Sequence, residues 1–134
     1  MAKEYKIFIS HSWQYTNTLE ALRNLLNERA YFSATYEEST KNNPINSENE
    51  SYVKIRLAKK IGDSDIILAL AGVYASHSSW MEWELDKALE LGTPIVGVIP
   101  HGQERISSIV SSRSVVDVRW STESIIAAIR AHAK

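Results

Sequence analysis

Cysteine is absent from this chain of 134 residues, which excludes disulfide bonds, thiolate nucleophiles and cysteine-ligated zinc. The four histidines, His11, His77, His101 and His132, show no spacing that would pair two of them on one helix, so no metal site is predicted. The formal net charge of −1 lacks the positive excess typical of nucleic-acid-binding domains. The longest apolar stretch, Ile66–Ala75, is much shorter than the ~20 residues of a membrane-spanning helix. We therefore expect a cytoplasmic protein whose partners include neither nucleic acid nor a membrane.

The composition is that of an ordinary globular protein. Hydrophobic residues make up 44% and charged residues 23% of the chain, which argues against a disordered or fibrous protein. The length suits one domain with its own core. We expect residues 1–134 to form that single domain.

Two apolar patterns alternate along the chain. Short continuous apolar runs predict strands, and apolar residues spaced three or four positions apart predict helices. The predicted strands are Tyr5–Ser10, Tyr31–Tyr36, Asp65–Ala71, Thr93–Ile99 and Ser114–Val118. The predicted helices are Asn17–Ala30, Ser51–Ile61, Ser79–Leu91 and Ser121–Ala133. The polar segment Glu37–Glu50 predicts a long loop.

This alternation predicts an α/β fold: a doubly wound, five-stranded parallel sheet with helices on both faces. We expect the flavodoxin-like strand order 2-1-3-4-5. Such sheets bind ligands beyond the carboxyl ends of their strands, at the point between the first and third strands where the strand order switches direction. The segments Ser10–Ser12 and Gly72–Trp80 should meet there.

Two groups of residues near this point could carry chemistry. Ser10, His11 and Ser12 could hold a ribose or phosphate, or could equally form a polar turn that caps the next helix. Trp80 and Glu84 are four residues apart on one predicted helix, so an indole would lie beside a carboxylate. The pair could bind a sugar, or could be a core tryptophan and a surface glutamate. We expect Glu84 at an exposed helix position.

Another spacing on the same helix has a structural interpretation. Ser79 and Glu82 are three residues apart at its predicted start, which is the pattern of a capping box. Glu82 is therefore expected to cap the helix.

Several blocks of the sequence resemble TIR-like domains, most closely the TIR-like subunit of bacterial Thoeris antiphage systems. They occur in the family's order at Ile7–Ser12, Ser39–Ile45, Asp63–Asp65, Ala71–Tyr74, Ser79–Glu84 and Pro94–Gly102. The resemblance covers nearly the whole chain. It departs from the family pattern at His101, where Trp is frequent, and near Asn43, where Asp is frequent.

The resemblance implies an enzyme that cleaves NAD at the nicotinamide glycosidic bond, with NAD as substrate and no bound cofactor. Its product would be a cyclic ADP-ribose-type signal, which activates a separate effector protein in antiphage defence. Glu84 would be the catalytic residue. The implied substrate-binding residues are Phe8, Ser10, His11, Ser12, Ser39, Asn43, Tyr74 and Trp80. We also expect the isolated monomer to be a poor enzyme, completed by self-association or by an infection-derived activator.

A non-catalytic interaction module, TIR-like or receiver-like, is the alternative function, because fold alone does not decide between them. A phosphoacceptor receiver would show an acidic pair after the first strand and an aspartate at the end of the third. Ser10–Ser12 and Ala71–Gly72 stand at those places instead. Release of nicotinamide from NAD would distinguish an enzyme from an adaptor.

Overall fold

The computed structural model describes residues 4–11, 16–29, 32–38, 50–70, 79–99 and 108–134. The strands are β1 (Glu4–His11), β2 (Ser33–Glu38), β3 (Ile66–Leu70), β4 (Ile95–Val98) and β5 (Val116–Val118). The helices are α1 (Thr16–Asn27), α2 (Glu50–Asp63), α3 (Ser79–Leu91), α4 (Ser108–Ser111) and α5 (Thr122–His132).

The five strands form one parallel sheet in the order β2-β1-β3-β4-β5. The predicted α/β fold and strand order are therefore confirmed. In the pairing of β1 with β3, Ser10 lies opposite Ala69 and His11 opposite Leu70. The carboxyl ends of the first and third strands thus lie side by side.

Alternation along β1 divides the core into two layers. Ile7 and Ile9 face the helices α1 and α5, where they pack with residues such as Leu26 and Ile129. Phe8, between them in sequence, points through the opposite face of the sheet. The layer that receives Phe8 contains the buried apolar residues Leu57, Ile61, Met81, Leu85, Ala88 and Val110 of α2, α3 and α4. Helices therefore cover both faces of the sheet.

The observed ends of the helices and strands match the predicted ends closely for α3 and α5, and less well for the edge strand β2. Helix α3 has the predicted bounds, and α5 begins after the N-cap Ser121, whose hydroxyl accepts a hydrogen bond from the Ser124 amide. Strand β2 extends to Glu38, two residues beyond the predicted end at Tyr36, because it pairs with β1 as far as Ile9. Tyr31, its predicted first residue, lies outside the described part of the chain. The first residues of the predicted loop 37–50 belong to β2 and its last to α2, while residues 39–49 lie outside the described part.

The short helix α4 was not predicted. It has only four residues, too few to show a helical period, and Val110 anchors it in the core.

Gly92 forms the turn from α3 into β4 with a φ of +78°, a left-handed conformation. Its amide donates to the Leu89 carbonyl at 3.3 Å, and the Thr93 amide donates to the Ala88 carbonyl at 2.9 Å. These bonds satisfy two of the last four carbonyls of α3, those of Ala88 and Leu89. The buried Thr93 hydroxyl also donates to the Ile61 carbonyl at 3.0 Å, which ties the end of α2 to the end of α3.

We expect Gly92→Ala to lower the free energy of unfolding by about 1 kcal/mol, or about 4 °C in Tm. Apart from the chain neighbours of Gly92, no atom of the described residues lies within 4 Å of the added Cβ, so the expected loss comes from backbone strain. Gly92→Asn should lose less, because asparagine tolerates the left-handed conformation. Thermal unfolding followed by circular dichroism measures both variants. An Ala variant that melts with the wild type would contradict this account.

Tyr36 on β2 is partly buried, and its hydroxyl has no hydrogen-bond partner within the described part of the chain. Burial raises its pKa to about 12, while the nearby Arg23 opposes that shift. Tyrosine in the unfolded chain ionises near ~10, so the unfolded state loses its proton first and stability falls between about pH 10 and pH 12. Below that window the contribution of Tyr36 is complete.

We expect Tyr36→Phe to lose less stability than the wild type between pH 9 and pH 11.5, as measured by urea unfolding. At neutral pH the variant should be as stable or more stable, because it removes a buried hydroxyl to which no described residue offers a hydrogen bond. Equal losses in both proteins would show that Tyr36 does not contribute to the alkaline transition.

Candidate active site

Glu84 is 2% exposed, in contrast to the exposed position expected from the sequence. The reason lies in the helical period of α3. Met81, Leu85 and Ala88 form its buried stripe, and Glu84 falls within that stripe. The same period is present in the sequence, where Met81, Glu84, Leu85 and Ala88 recur three or four residues apart. The structure thus places a carboxylate among apolar side chains.

Ser10 lies on the same face of β1 as Phe8, since side chains two residues apart on a strand point the same way. It is 0% exposed. Its hydroxyl donates a hydrogen bond to Oε1 of Glu84 at 2.9 Å. A buried carboxylate is costly unless it is hydrogen-bonded, and Ser10 supplies such a bond.

This pair lies where the direction of winding changes. The chain leaves β1 toward α1, on one face of the sheet, and leaves β3 toward α3, on the other. Ligands of doubly wound sheets bind in the crevice that these diverging connections open. The Ser10–Glu84 pair therefore lies at the switch point of the sheet.

The structure describes the side chains of some of the other predicted site residues, only the backbone of others, and none of the rest. Phe8 is 0% exposed and packs wholly within the α2–α3 layer of the core. His11 ends β1 and Trp80 lies in the first turn of α3, where only their backbone is described. The remaining substrate-binding predictions lie outside the described residues; they are Ser12, Ser39, Asn43 and Tyr74. Apart from the position of Ser10 beside Glu84, all these roles stay predictions.

Sequence reasoning missed Arg113, which contacts the outer side of α3. Its Nη2 donates to Oε1 of Glu82 at 3.3 Å, and its Nε donates to Oδ1 of Asp86 at 2.6 Å. The hydrogen bond to Asp86 is the main cause that raises the pKa of the guanidinium, with Glu82 adding a smaller effect. Glu82, expected to cap α3, thus has a long-range partner. No local spacing relates Arg113 to α3, so the sequence offered no signal for it.

Within the described ranges, no three histidine, aspartate or glutamate side chains cluster in a way that could hold a metal ion. Among the helices that the structure describes, none is both long and apolar enough to cross a membrane.

The sheet and the buried carboxylate define a doubly wound α/β domain with a candidate ligand site at its switch point. The family model of the Thoeris protein ThsB, TIR-like domain, matches residues 8–105, well over half of the chain. This chain belongs to that TIR-like family, and its membership supports a role in antiphage defence. No curated protein matches the sequence.

Solved structures share the fold at low sequence identity. A 2-deoxyribosyltransferase from the psychrotolerant bacterium Bacillus psychrosaccharolyticus has a TM-score of 0.62 and 16% identity, over 90% of this chain and 89% of that one. The Clostridium botulinum CMP N-glycosidase BcmB has a TM-score of 0.53 and 15% identity, over 93% and 98%. A 3-dehydroquinate dehydratase-like protein from Bifidobacterium longum has a TM-score of 0.56 and 9% identity, over 98% and 95%. These likenesses show the fold alone.

Proposed function

We propose that this chain is a single-domain cytoplasmic enzyme that cleaves NAD at the nicotinamide glycosidic bond. Glu84 is its catalytic carboxylate, and a cyclic ADP-ribose-type product carries the signal to an effector protein of antiphage defence. One observation carries the proposal: a buried glutamate, hydrogen-bonded to Ser10, lies at the switch point of the sheet. Membership of the Thoeris TIR-like family supports it.

The chemistry requires only one carboxylate. The nicotinamide of NAD is already cationic, so the electron pair of the breaking glycosidic bond neutralises the ring nitrogen, and the base leaves without a general acid. Positive charge then develops on the ribose, as it does in other glycosidic cleavages. A carboxylate in a pocket of low dielectric stabilises that charge as it forms.

The second step decides the product. A hydroxyl of the ADP-ribose attacks the cationic sugar carbon and loses its proton, which closes a ring. If water attacks first, the product is linear ADP-ribose. Cyclisation therefore needs a folded ligand and a site from which water is excluded. We propose that a second protomer or an infection-derived activator completes this enclosure.

The fold is compatible with such a reaction. Two structures that share it are, by name, a 2-deoxyribosyltransferase and a CMP N-glycosidase. At their low sequence identity they leave the substrate of this chain open.

The test is direct. The purified chain is incubated with NAD, and nicotinamide is quantified by liquid chromatography across a wide protein dilution series, with and without lysate from phage-infected cells. We expect release per protomer to rise with protein concentration or with lysate, and to persist in a chelator because no metal or cofactor takes part. Mass spectrometry separates cyclic from linear product.

Two outcomes would count against parts of the proposal. No release at any concentration, with or without lysate, would favour the non-catalytic interaction module. A high release per protomer that is flat on dilution and insensitive to lysate would mean that the monomer is already complete.

A further inference from the structure

Arg113, just beyond α4, joins two elements through one side chain. Besides its bonds to Glu82 and Asp86 of α3, its Nη1 donates to the Ile109 carbonyl of α4 at 2.9 Å. The side chain is 18% exposed. With the Ser112 hydroxyl, which accepts from Nη1 at 3.4 Å, four acceptors surround a guanidinium whose side chain is mostly buried.

The two carboxylates that bind Arg113 lie on the face of α3 opposite Glu84. Glu82 and Asp86 are four residues apart, so they share one face of α3, and Glu84 lies midway between them in sequence. At about 100° per residue, Glu84 then points to the opposite face, toward the core. Arg113 therefore contacts the outer face of α3, while the buried face of α3 contacts the core and Ser10.

Small movements of α3 would matter at this site. Helical side chains reach about 6 Å from the axis, so a rotation of about 20° shifts a side-chain tip by about 2 Å. Such a shift would break the 2.9 Å hydrogen bond between Ser10 and Glu84.

We propose that Arg113 is a positioning residue, which sets the rotation and height of α3 so that the carboxylate of Glu84 stays on Ser10 and faces the substrate. Arg113 lies beyond residues 8–105, which the family model matches. That Glu84 faces the substrate rests on the proposed function, whereas the role of Arg113 in keeping Glu84 on Ser10 does not. An arginine suits the role because its planar fork binds two carboxylates in a defined geometry, which the point charge of a lysine does not.

The experiment compares Arg113→Ala with Arg29→Ala. Arg29 makes a similar surface ion pair, with its Nε 2.6 Å from Oε1 of Glu123 on α5. In each background, a double-mutant cycle of Ser10→Ala and Glu84→Gln measures how far the contribution of the Ser10 hydroxyl to the free energy of unfolding depends on the charge of Glu84, and this dependence is the Ser10–Glu84 coupling. We expect Arg113→Ala to reduce the coupling by at least half and Arg29→Ala to leave it unchanged.

Kinetics provides the second measurement. We expect Arg113→Ala to lower kcat for nicotinamide release about tenfold with KM nearly unchanged, because misplaced catalytic groups raise the barrier without weakening substrate binding. Arg113→Lys should recover part of the rate. Arg29→Ala should keep the wild-type kcat.

The two measurements distinguish a positioning role of Arg113 from a purely structural contact. Unchanged Ser10–Glu84 coupling in Arg113→Ala overturns it whether or not the protein is an enzyme. Reduced coupling with wild-type kcat overturns the catalytic part and leaves Arg113 as a structural contact. Absence of nicotinamide release from the wild type is a failure of the proposed function, and the coupling then decides whether Arg113 positions Glu84.

Discussion

Glu84→Gln is expected to fold normally and to release nicotinamide from NAD at least about a hundredfold more slowly than the wild type, the loss typical of removing an electrostatic contact to a transition state. Glutamine keeps the shape of the side chain and still offers Ser10 an acceptor, but it carries no charge. The free energy of unfolding should stay the same or rise, because a neutral amide is less costly to bury than a carboxylate. Initial-rate assays and urea unfolding measure the two effects.

Glu90→Gln is the matched control. Glu90 lies on the same helix, its side chain is 67% exposed, and its carboxylate pairs with Lys87 at the surface. Its replacement should change stability by less than ~1 kcal/mol and leave the rate unaltered. A folded Glu84→Gln protein with near-normal turnover would show that Glu84 is not the catalytic residue.

Ser10→Ala should have the second largest effect. Its hydroxyl bonds a buried carboxylate, and hydrogen bonds to charged groups contribute about 1.5–3 kcal/mol to stability. We expect a loss of that size. We also expect kcat to fall about tenfold, since the carboxylate is no longer held in position.

A double-mutant cycle tests whether Ser10 acts through Glu84. The changes in the free energy of unfolding caused by Ser10→Ala and Glu84→Gln should be non-additive, with a coupling of about 1 kcal/mol, because the Ser10 hydroxyl contributes less when its partner carries no charge. Ser121→Ala is the control, because it removes the N-cap of α5 at a cost of about 1 kcal/mol and should leave kcat unchanged. Additive energies would mean that Ser10 and Glu84 do not act together.

Much of the fold was predictable because its central elements have unambiguous patterns. The run Ile66–Leu70 is apolar throughout because β3 is covered on both faces, and α3 has the predicted bounds. The end of β2 at Glu38 depends on its pairing with β1, which no local pattern encodes. Helix α4 is one turn long, so its burial depends on tertiary packing alone.

The position of the candidate site in the sheet follows from the predicted strand order, whereas its contacts do not. Spacing and the family resemblance singled out Glu84, and the topology placed it near the end of β1. The bond to Ser10 joins residues 74 positions apart, so only the packed structure reveals it. Arg113 is 27 residues from Asp86, with no pattern to connect them.

Because the core has two layers, mutations could change the amount of folded protein in the cell and the rate of its proposed reaction separately. Glu84 and Ser10 belong to the layer of α2 and α3, whereas the layer of α1 and α5 is built from aliphatic side chains such as Leu22 and Ile125. Distant substitutions usually add independently in free energy. Changes under α1 and α5 would then alter how much folded protein a cell keeps, without reshaping the site. The cellular level of this chain and the rate of its proposed reaction could therefore evolve by separate mutations.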